Sequence, residues 1–220
     1  LKETDVIVKL TNVTMGYHTR THKTDVFKNF NLEVKKGDFV ALVGQIGSGK
    51  TSLINLICGF NKPLNGKIYV EGQEITSLNN EKLINLRSRL IGVVPQTQNL
   101  ISNLTVYENI QLPLVINKYP KSDLSERVVK ILEMMNLFNY SEMLVKHLSV
   151  GERQLVAVAR SFASDPPLIL MDEPTEALDP VMSELVMGFI RGTNLLKGKT
   201  LIITTHDKKI MDIAQRIIRI

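Results

Sequence analysis

Residues 44–51 read Gly44-Gln45-Ile46-Gly47-Ser48-Gly49-Lys50-Thr51, and this stretch decides the fold. It matches the spacing G-x-x-x-x-G-K-[ST] in full. Its three glycines let the backbone curl with several N–H groups turned inward, so that polyphosphate oxygens can be cradled. Lys50 supplies compact positive charge for β- and γ-phosphates, and the Thr51 hydroxyl is placed to hold Mg²⁺. Just before the loop, Phe39-Val40-Ala41-Leu42-Val43 is a short apolar run that reads as a buried strand. Just after it, Thr51 to Cys58 reads as a helix whose N-terminus adds a positive dipole end at the phosphates.

Outward from this unit the chain is β-rich on its N-terminal side. Val6-Ile7-Val8-Lys9-Leu10 and Phe30-Asn31-Leu32-Glu33-Val34 alternate in the manner of strands, and Gly66 to Gly72 reads as a further strand between glycines. From Gln98 to His147 the character becomes helical. Within Ser125 to Leu137, apolar residues at 128, 131, 132 and 135 form one stripe between charged positions. After Ser149 the order is helix, strand, helix, strand. Leu168-Ile169-Leu170-Met171 and Thr200-Leu201-Ile202-Ile203-Thr204 are continuous apolar runs, as expected of parallel strands covered on both faces. The periodicity therefore predicts an α/β nucleotide-binding core with an inserted helical segment at about 97–150.

Composition narrows the class. With 44% hydrophobic and 22% charged residues, the 220-residue chain is ordinary for a soluble globular protein, and no run of 18 apolar residues marks a membrane span. No signal-peptide pattern is visible, and the start at Leu1 rather than Met leaves a longer natural chain open. The single cysteine, Cys58, excludes an internal disulfide, suits a reducing compartment and reads as core packing. The net charge of +5 is spread along the chain without a dense basic block, so nucleic acid is not an expected partner.

Further chemistry sits at the ends of the apolar strands, where ligands bind in open α/β sheets. Asp172, in Leu170-Met171-Asp172-Glu173-Pro174, is placed to hold Mg²⁺ directly or through water. Glu173, one step further, can face a γ-phosphate and polarise an attacking water. His206, in Thr204-Thr205-His206-Asp207, reaches the same strand-end region and can hydrogen-bond a γ-phosphate. In Leu148-Ser149-Val150-Gly151-Glu152-Arg153-Gln154, Ser149 and Glu152 form a capping box ahead of a strong helix, Leu155 to Ala163. Read locally, this is a well-started helix. Its capped N-terminus beside Gly151 also has the makings of an anion site.

In serial order, the loop, Gln96, the Leu148–Gln154 stretch, Leu168–Pro174, Glu176-Ala177-Leu178-Asp179 and Thr204–Asp207 resemble the ATP-binding cassette family over nearly the whole chain. The resemblance implies one ATPase domain: a P-loop NTPase core (1–96 and 151–220) with a mixed or parallel central sheet, an N-terminal antiparallel β subdomain and an inserted helical subdomain. It implies ATP and Mg²⁺ as cofactors. Gly44, Gln45, Ile46, Gly47, Ser48, Gly49, Lys50, Thr51 and Ser52 would bind nucleotide, and Tyr17 would stack on adenine. Thr51, Gln96 and Asp172 would hold the metal. Glu173 would be the catalytic base, with His206 as switch histidine and Gln96 contacting the attacking water. Ser149 and Gly151 would close on ATP held by a second copy, and Asp179 would communicate across that dimer. The implied partners are this second copy and integral membrane permease subunits, at the cytoplasmic face of the membrane.

Three positions depart from the family pattern. Val150 and Glu152 occupy positions where the family pattern has Gly and Gln, and Pro95 replaces an aromatic residue. Leu86–Gln96 and Leu104–Leu114 resemble the lipoprotein-releasing, macrolide-export and cell-division type of cassette, which drives membrane subunits that transmit force. Arg216–Ile220 matches the last core strand of such chains and leaves a short tail beyond it open. Two other classes share parts of the pattern. A soluble cassette protein acting on ribosomes or DNA would carry paired cassettes or a coiled coil. A P-loop kinase or regulatory switch would need neither the Leu148–Gln154 stretch nor the Thr204–Asp207 strand end.

Overall fold

The computed structural model describes residues 5–18 and 23–220. Two sheets organise it. The first is antiparallel, in the order β2 (Lys23–Lys35), β1 (Val6–His18), β4 (Asn65–Val70), β5 (Gln73–Glu74). The second is wholly parallel, in the order β6 (Ile91–Val94), β7 (Leu168–Asp172), β8 (Thr200–Thr204), β3 (Phe39–Val43), β9 (Arg216–Arg219).

The apolar runs behave as the sequence predicts, because a parallel sheet is covered on both faces. Every residue of β7 and β8 is buried. Alternate side chains of the same strands point to opposite faces and enter different cores. Val40, Leu42, Leu168, Leu170 and Ile202 pack with the antiparallel sheet and with α1 (Lys50–Ile57). Phe39, Ile169, Met171, Leu201 and Ile203 pack on the other side, with α3 (Val106–Ile116), α4 (Lys121–Met134), α5 (Val150–Phe162) and α6 (Pro180–Lys197). Cys58 lies in the first core, where burial pushes its thiol up to about 12, so it is an inert apolar filler.

The segment 97–150 contributes α3 and α4, and their buried residues share a core with α5 rather than forming a separate one. Fully buried Asn109 ties the approach to α3: its side chain accepts from the Ile101 N–H and donates to the carbonyls of Ile101 and Thr105. Gly92 on β6 lets α5 approach closely, since a Cβ there would stand 2.2 Å from the Ser161 carbonyl oxygen. The remaining α-helices among the described residues are α2 (Asn80–Leu90) and α7 (Lys208–Ile213).

Two strands are longer than the alternation implied. β1 runs on past Leu10 and β2 begins before Phe30. The register shifts between Leu10 and Val13, and Asn12 and Asn29 adopt φ of 51° and 49°. Such irregularities break the two-residue period without ending the pairing. β9 is an edge strand beside β3, mostly exposed. Among the described residues no helix is long and apolar enough to cross a membrane.

Candidate functional site

The register gathers the candidate residues at one edge. Leu42 of β3 and Asp172 of β7 both lie opposite Thr204 of β8, so the loop after Leu42, the carboxylates after Met171 and His206 all emerge together. This is the carboxyl end of the parallel strands.

The loop itself is built for an anion. Gly47 and Gly49 take φ of 83° and 99°, values that favour glycine. Gly49 caps α1 without any side-chain hydrogen bond, and the first turn of α1 carries no acid, so its N–H groups and dipole face outward from the helix start. The Ser48 hydroxyl oxygen is buried with no hydrogen-bond partner. A buried hydroxyl of this kind calls for a partner, and phosphate oxygen is the group the loop would supply it. Lys50 is largely buried, and its ammonium donates to the carbonyls of Gly44 at 2.9 Å and Gln45 at 3.1 Å. Ile46 at the loop tip is 94% exposed, whereas Ser52 lies buried within α1.

The acids stand directly behind the loop. Thr51 Oγ1 donates to Asp172 Oδ2 at 2.7 Å, and Thr204 Oγ1 donates to Asp172 Oδ1. Hydroxyl plus carboxylate is a hard-oxygen donor set. No cluster of three or more His, Cys, Asp or Glu capable of holding a metal exists among the described residues. That combination suits Mg²⁺, which keeps several waters and takes one or two protein oxygens beside phosphate, rather than an all-protein metal cage.

Glu173 has a φ of 48°, in the left-handed region that few side-chain-bearing residues adopt. The turn is held because its N–H donates to both the Thr204 carbonyl at 3.1 Å and the Thr204 hydroxyl at 3.0 Å. The His206 N–H donates to Glu173 Oε2 at 3.2 Å. His206 Nε2 stands 3.3 Å from Oε1, close enough for charge interaction but not aligned as a hydrogen bond, so Oε1 keeps no hydrogen-bond partner. Burial raises the Glu173 carboxyl above the ordinary glutamate value of 4.5, against the opposing pull of His206 and Lys50. A raised carboxylate with one free oxygen is a better base.

A second group forms at the starts of α5 and α6. Ser149 caps α5: its hydroxyl accepts from the Glu152 N–H at 3.2 Å, and Glu152 Oε2 accepts from the Ser149 N–H at 2.7 Å. These bonds hold the Glu152 carboxyl below its usual value. Asp179 caps α6 by accepting from the Met182 N–H at 2.8 Å. Gly151 lies against this start: a Cβ on it would meet Met182 Sδ at 2.8 Å, with Leu178 and Ala177 next. The two groups are linked within the chain by buried Gln154 of α5, which donates to the carbonyl of Pro174 at 3.2 Å.

The structure thus joins Lys50, Thr51, Asp172, Glu173 and His206 in one site, and Ser149, Gly151 and Asp179 in another. Gln96 is exposed two residues beyond Val94, which pairs with Met171, so it leaves the same sheet edge. The side chain of Tyr17 lies outside what is described. Sequence reasoning gave no role to Thr204, although a hydroxyl ending a buried apolar strand was the available signal.

A glycine loop between strand and helix, backed by strand-end carboxylates, defines a P-loop nucleoside triphosphatase. The family model described as ABC transporter matches residues 27–176, and the chain belongs to that family as an ATP-hydrolysing cassette. It is 37% identical over 216 residues to the uncharacterized ABC transporter ATP-binding protein MJ0796 of Methanocaldococcus jannaschii, covering 96% of this chain and 92% of that one. It is 34% identical to the bacitracin export ATP-binding protein BceA of Halalkalibacterium halodurans, covering 96% and 84%. It is 35% identical to the methionine import ATP-binding protein MetN of Carboxydothermus hydrogenoformans, where it covers 94% of this chain but spans only 60% of the relative. A solved dimeric structure of MJ0796 in a post-hydrolysis state bound to ADP and Pi superposes with a TM-score of 0.92 at 36% identity, covering 97% of this chain and 94% of that one.

Proposed function

We propose that two copies of the chain bind Mg²⁺–ATP at a head-to-tail interface and couple its hydrolysis to movement of membrane subunits. The observation that carries this reading is the split of the site. Thr51 bonds Asp172, His206 stands against the adjacent Glu173 and the Lys50 charge acts on that carboxylate, whereas the polar groups of Ser149 and Asp179 are spent on helix caps elsewhere. A second copy supplies those helix starts to the first. The dimeric structures of MJ0796 support such an arrangement.

In this mechanism Lys50 exchanges the Gly44 and Gln45 carbonyls for phosphate oxygens, and Gly44 to Ser52 wrap the phosphates. Tyr17 stacks on the base. Thr51 and Asp172, together with Gln96, would hold Mg²⁺, which when bound would supply charge neutralisation on the phosphates. Glu173 accepts the proton of the attacking water through its free Oε1, and His206 orients the Glu173 carboxylate and reads the γ-phosphate. Ser149 and Gly151 of each copy close on the nucleotide of the other, with Asp179 beside them. Loss of the γ-phosphate removes the charge that both copies share, and the pair reopens.

The segment about 97–150 acts as the moving part. Between it and the core lies a groove of about 280 Å³ lined by Phe60, Arg87, Val93, Pro113 and Ile116. Phe60 and Ile116 are each more than half exposed, and Arg87 lies over the Phe60 ring at 4.8 Å. Such an apolar groove is suited to a short helix of a membrane subunit, which would hold the chain at the cytoplasmic face of the membrane. The resemblance of Leu86–Gln96 and Leu104–Leu114 to force-transmitting cassettes favours export or mechanical work over import.

Glu173→Gln tests the central claim. It should bind ATP, release no phosphate, and elute as a dimer on size exclusion in ATP and Mg²⁺. A variant that hydrolyses at the parent rate, or stays monomeric in ATP, removes the proposal. Co-purification with membranes and not with RNA separates it from a cassette acting on ribosomes or DNA.

A further inference from the structure

We infer that Thr204 is a positioning residue for the metal-holding carboxylate, through a hydroxyl that serves both acids at once; this rests on the reading of Asp172 as a metal-holding group. Thr204 is fully buried and is the last residue of β8, opposite Asp172 on one side and Leu42 on the other. Its single O–H proton goes to Asp172 Oδ1, and the same oxygen accepts the Glu173 N–H at 3.0 Å. One hydroxyl therefore bridges the Asp172 carboxylate and the Glu173 main chain.

The arrangement fixes the division of labour at Asp172. With Oδ1 occupied by Thr204, the carboxylate cannot rotate freely, and Oδ2 is the oxygen left facing Thr51 and the phosphate loop. A proton donated from behind keeps the carboxylate oriented and its charge directed forward, as outer partners do for metal ligands. The second bond of Thr204 is less unique. The Glu173 N–H also reaches the Thr204 carbonyl at 3.1 Å, which survives any side-chain change. Removing the hydroxyl should thus act mainly on Asp172. It leaves Oδ1 without its Thr204 donor in a residue only 3% exposed. An apolar residue would fill β8 equally well, since its neighbours Leu201, Ile202 and Ile203 are all buried hydrophobics. The hydroxyl at this position thus answers to the acids rather than to packing.

The experiment follows binding of a fluorescent, non-hydrolysable ATP analogue while Mg²⁺ is titrated in from EDTA, on the parent, Thr204→Val, Thr204→Ser and Asp172→Asn. Thr204→Val should raise the Mg²⁺ concentration for half-maximal effect by about tenfold or more, in the range of lost outer-shell partners. It should leave analogue affinity in EDTA unchanged, and Thr204→Ser should behave as the parent. Thr204→Cys, close in size with a weak donor, decides the same question should the valine variant not fold. An unshifted Mg²⁺ midpoint in the Val and Cys variants, or an equal shift in Thr204→Ser, overturns the inference while Asp172→Asn still abolishes the Mg²⁺ effect. If Asp172→Asn leaves the Mg²⁺ effect intact, it is the underlying reading of Asp172 that fails.

Discussion

At Lys50 and Glu173 the chain places opposite charges in partly dry surroundings and leaves each with unfinished bonding. Among the described residues, the Lys50 ammonium is hydrogen-bonded to two loop carbonyls. Lys50→Ala should therefore keep the fold and lose nucleotide affinity, which isothermal titration against ATP will show as a drop of tenfold or more, about 1.4 kcal/mol at least. Glu173 is raised by burial, so the folded protein holds its proton more tightly than the unfolded chain does. Folding stability from this group is then greatest at low pH. It falls as pH rises from the ordinary value of 4.5 through the raised one, and stays lost at neutrality. Glu173→Gln should melt above the parent at neutral pH, with the gap closing in melts below pH 4.5. The same shift should move the acid limb of ATP hydrolysis to a pH above 4.5, because the base acts only when ionised.

Helix starts and buried strands carry most of the organisation at the scale of elements. The box at Ser149 and Glu152 satisfies two N–H groups of α5. Ser149→Ala should lower stability by about 1 kcal/mol in urea denaturation, apart from any effect on ATP closure. The central strands were legible because burial on both faces leaves continuous apolar runs, as at Leu168–Met171 and Thr200–Thr204. The phosphate loop was legible because few backbones other than a glycine-rich turn can present N–H groups inward. β1 and β2 were legible only in part, since asparagines in the left-handed region interrupt their alternation. The helix starting at Val150 was read from Leu155 because its first turn is polar and carries a glycine. Thr204 escaped notice for another reason: its value depends on Asp172 and Glu173, more than thirty positions away. Only the sheet register brings them together.

For the whole molecule, exposed apolar side chains lie near both half-sites and would be covered in the proposed dimer. Ile46 on the phosphate loop, Val150 at the start of α5 and Val181 at the start of α6 are 94%, 49% and 80% exposed. Val150 stands between Ser149 and Gly151, where, in the proposed dimer, a β-branched side chain would limit close approach of backbone to a triphosphate. Val150→Gly should tighten the ATP-driven dimer and raise the hydrolysis rate; sedimentation with ATP and a phosphate-release assay measure both, and unchanged values would show the valine to be harmless. The buried amide of Gln154 has a further consequence. It donates to the main chain one residue past Glu173, from the same helix whose beginning would meet the other subunit's ATP in the proposed dimer. In the proposed dimer, a displacement at one half-site would thus be relayed through α5 to the other, which would link the two ATP sites rather than leave them as independent chambers.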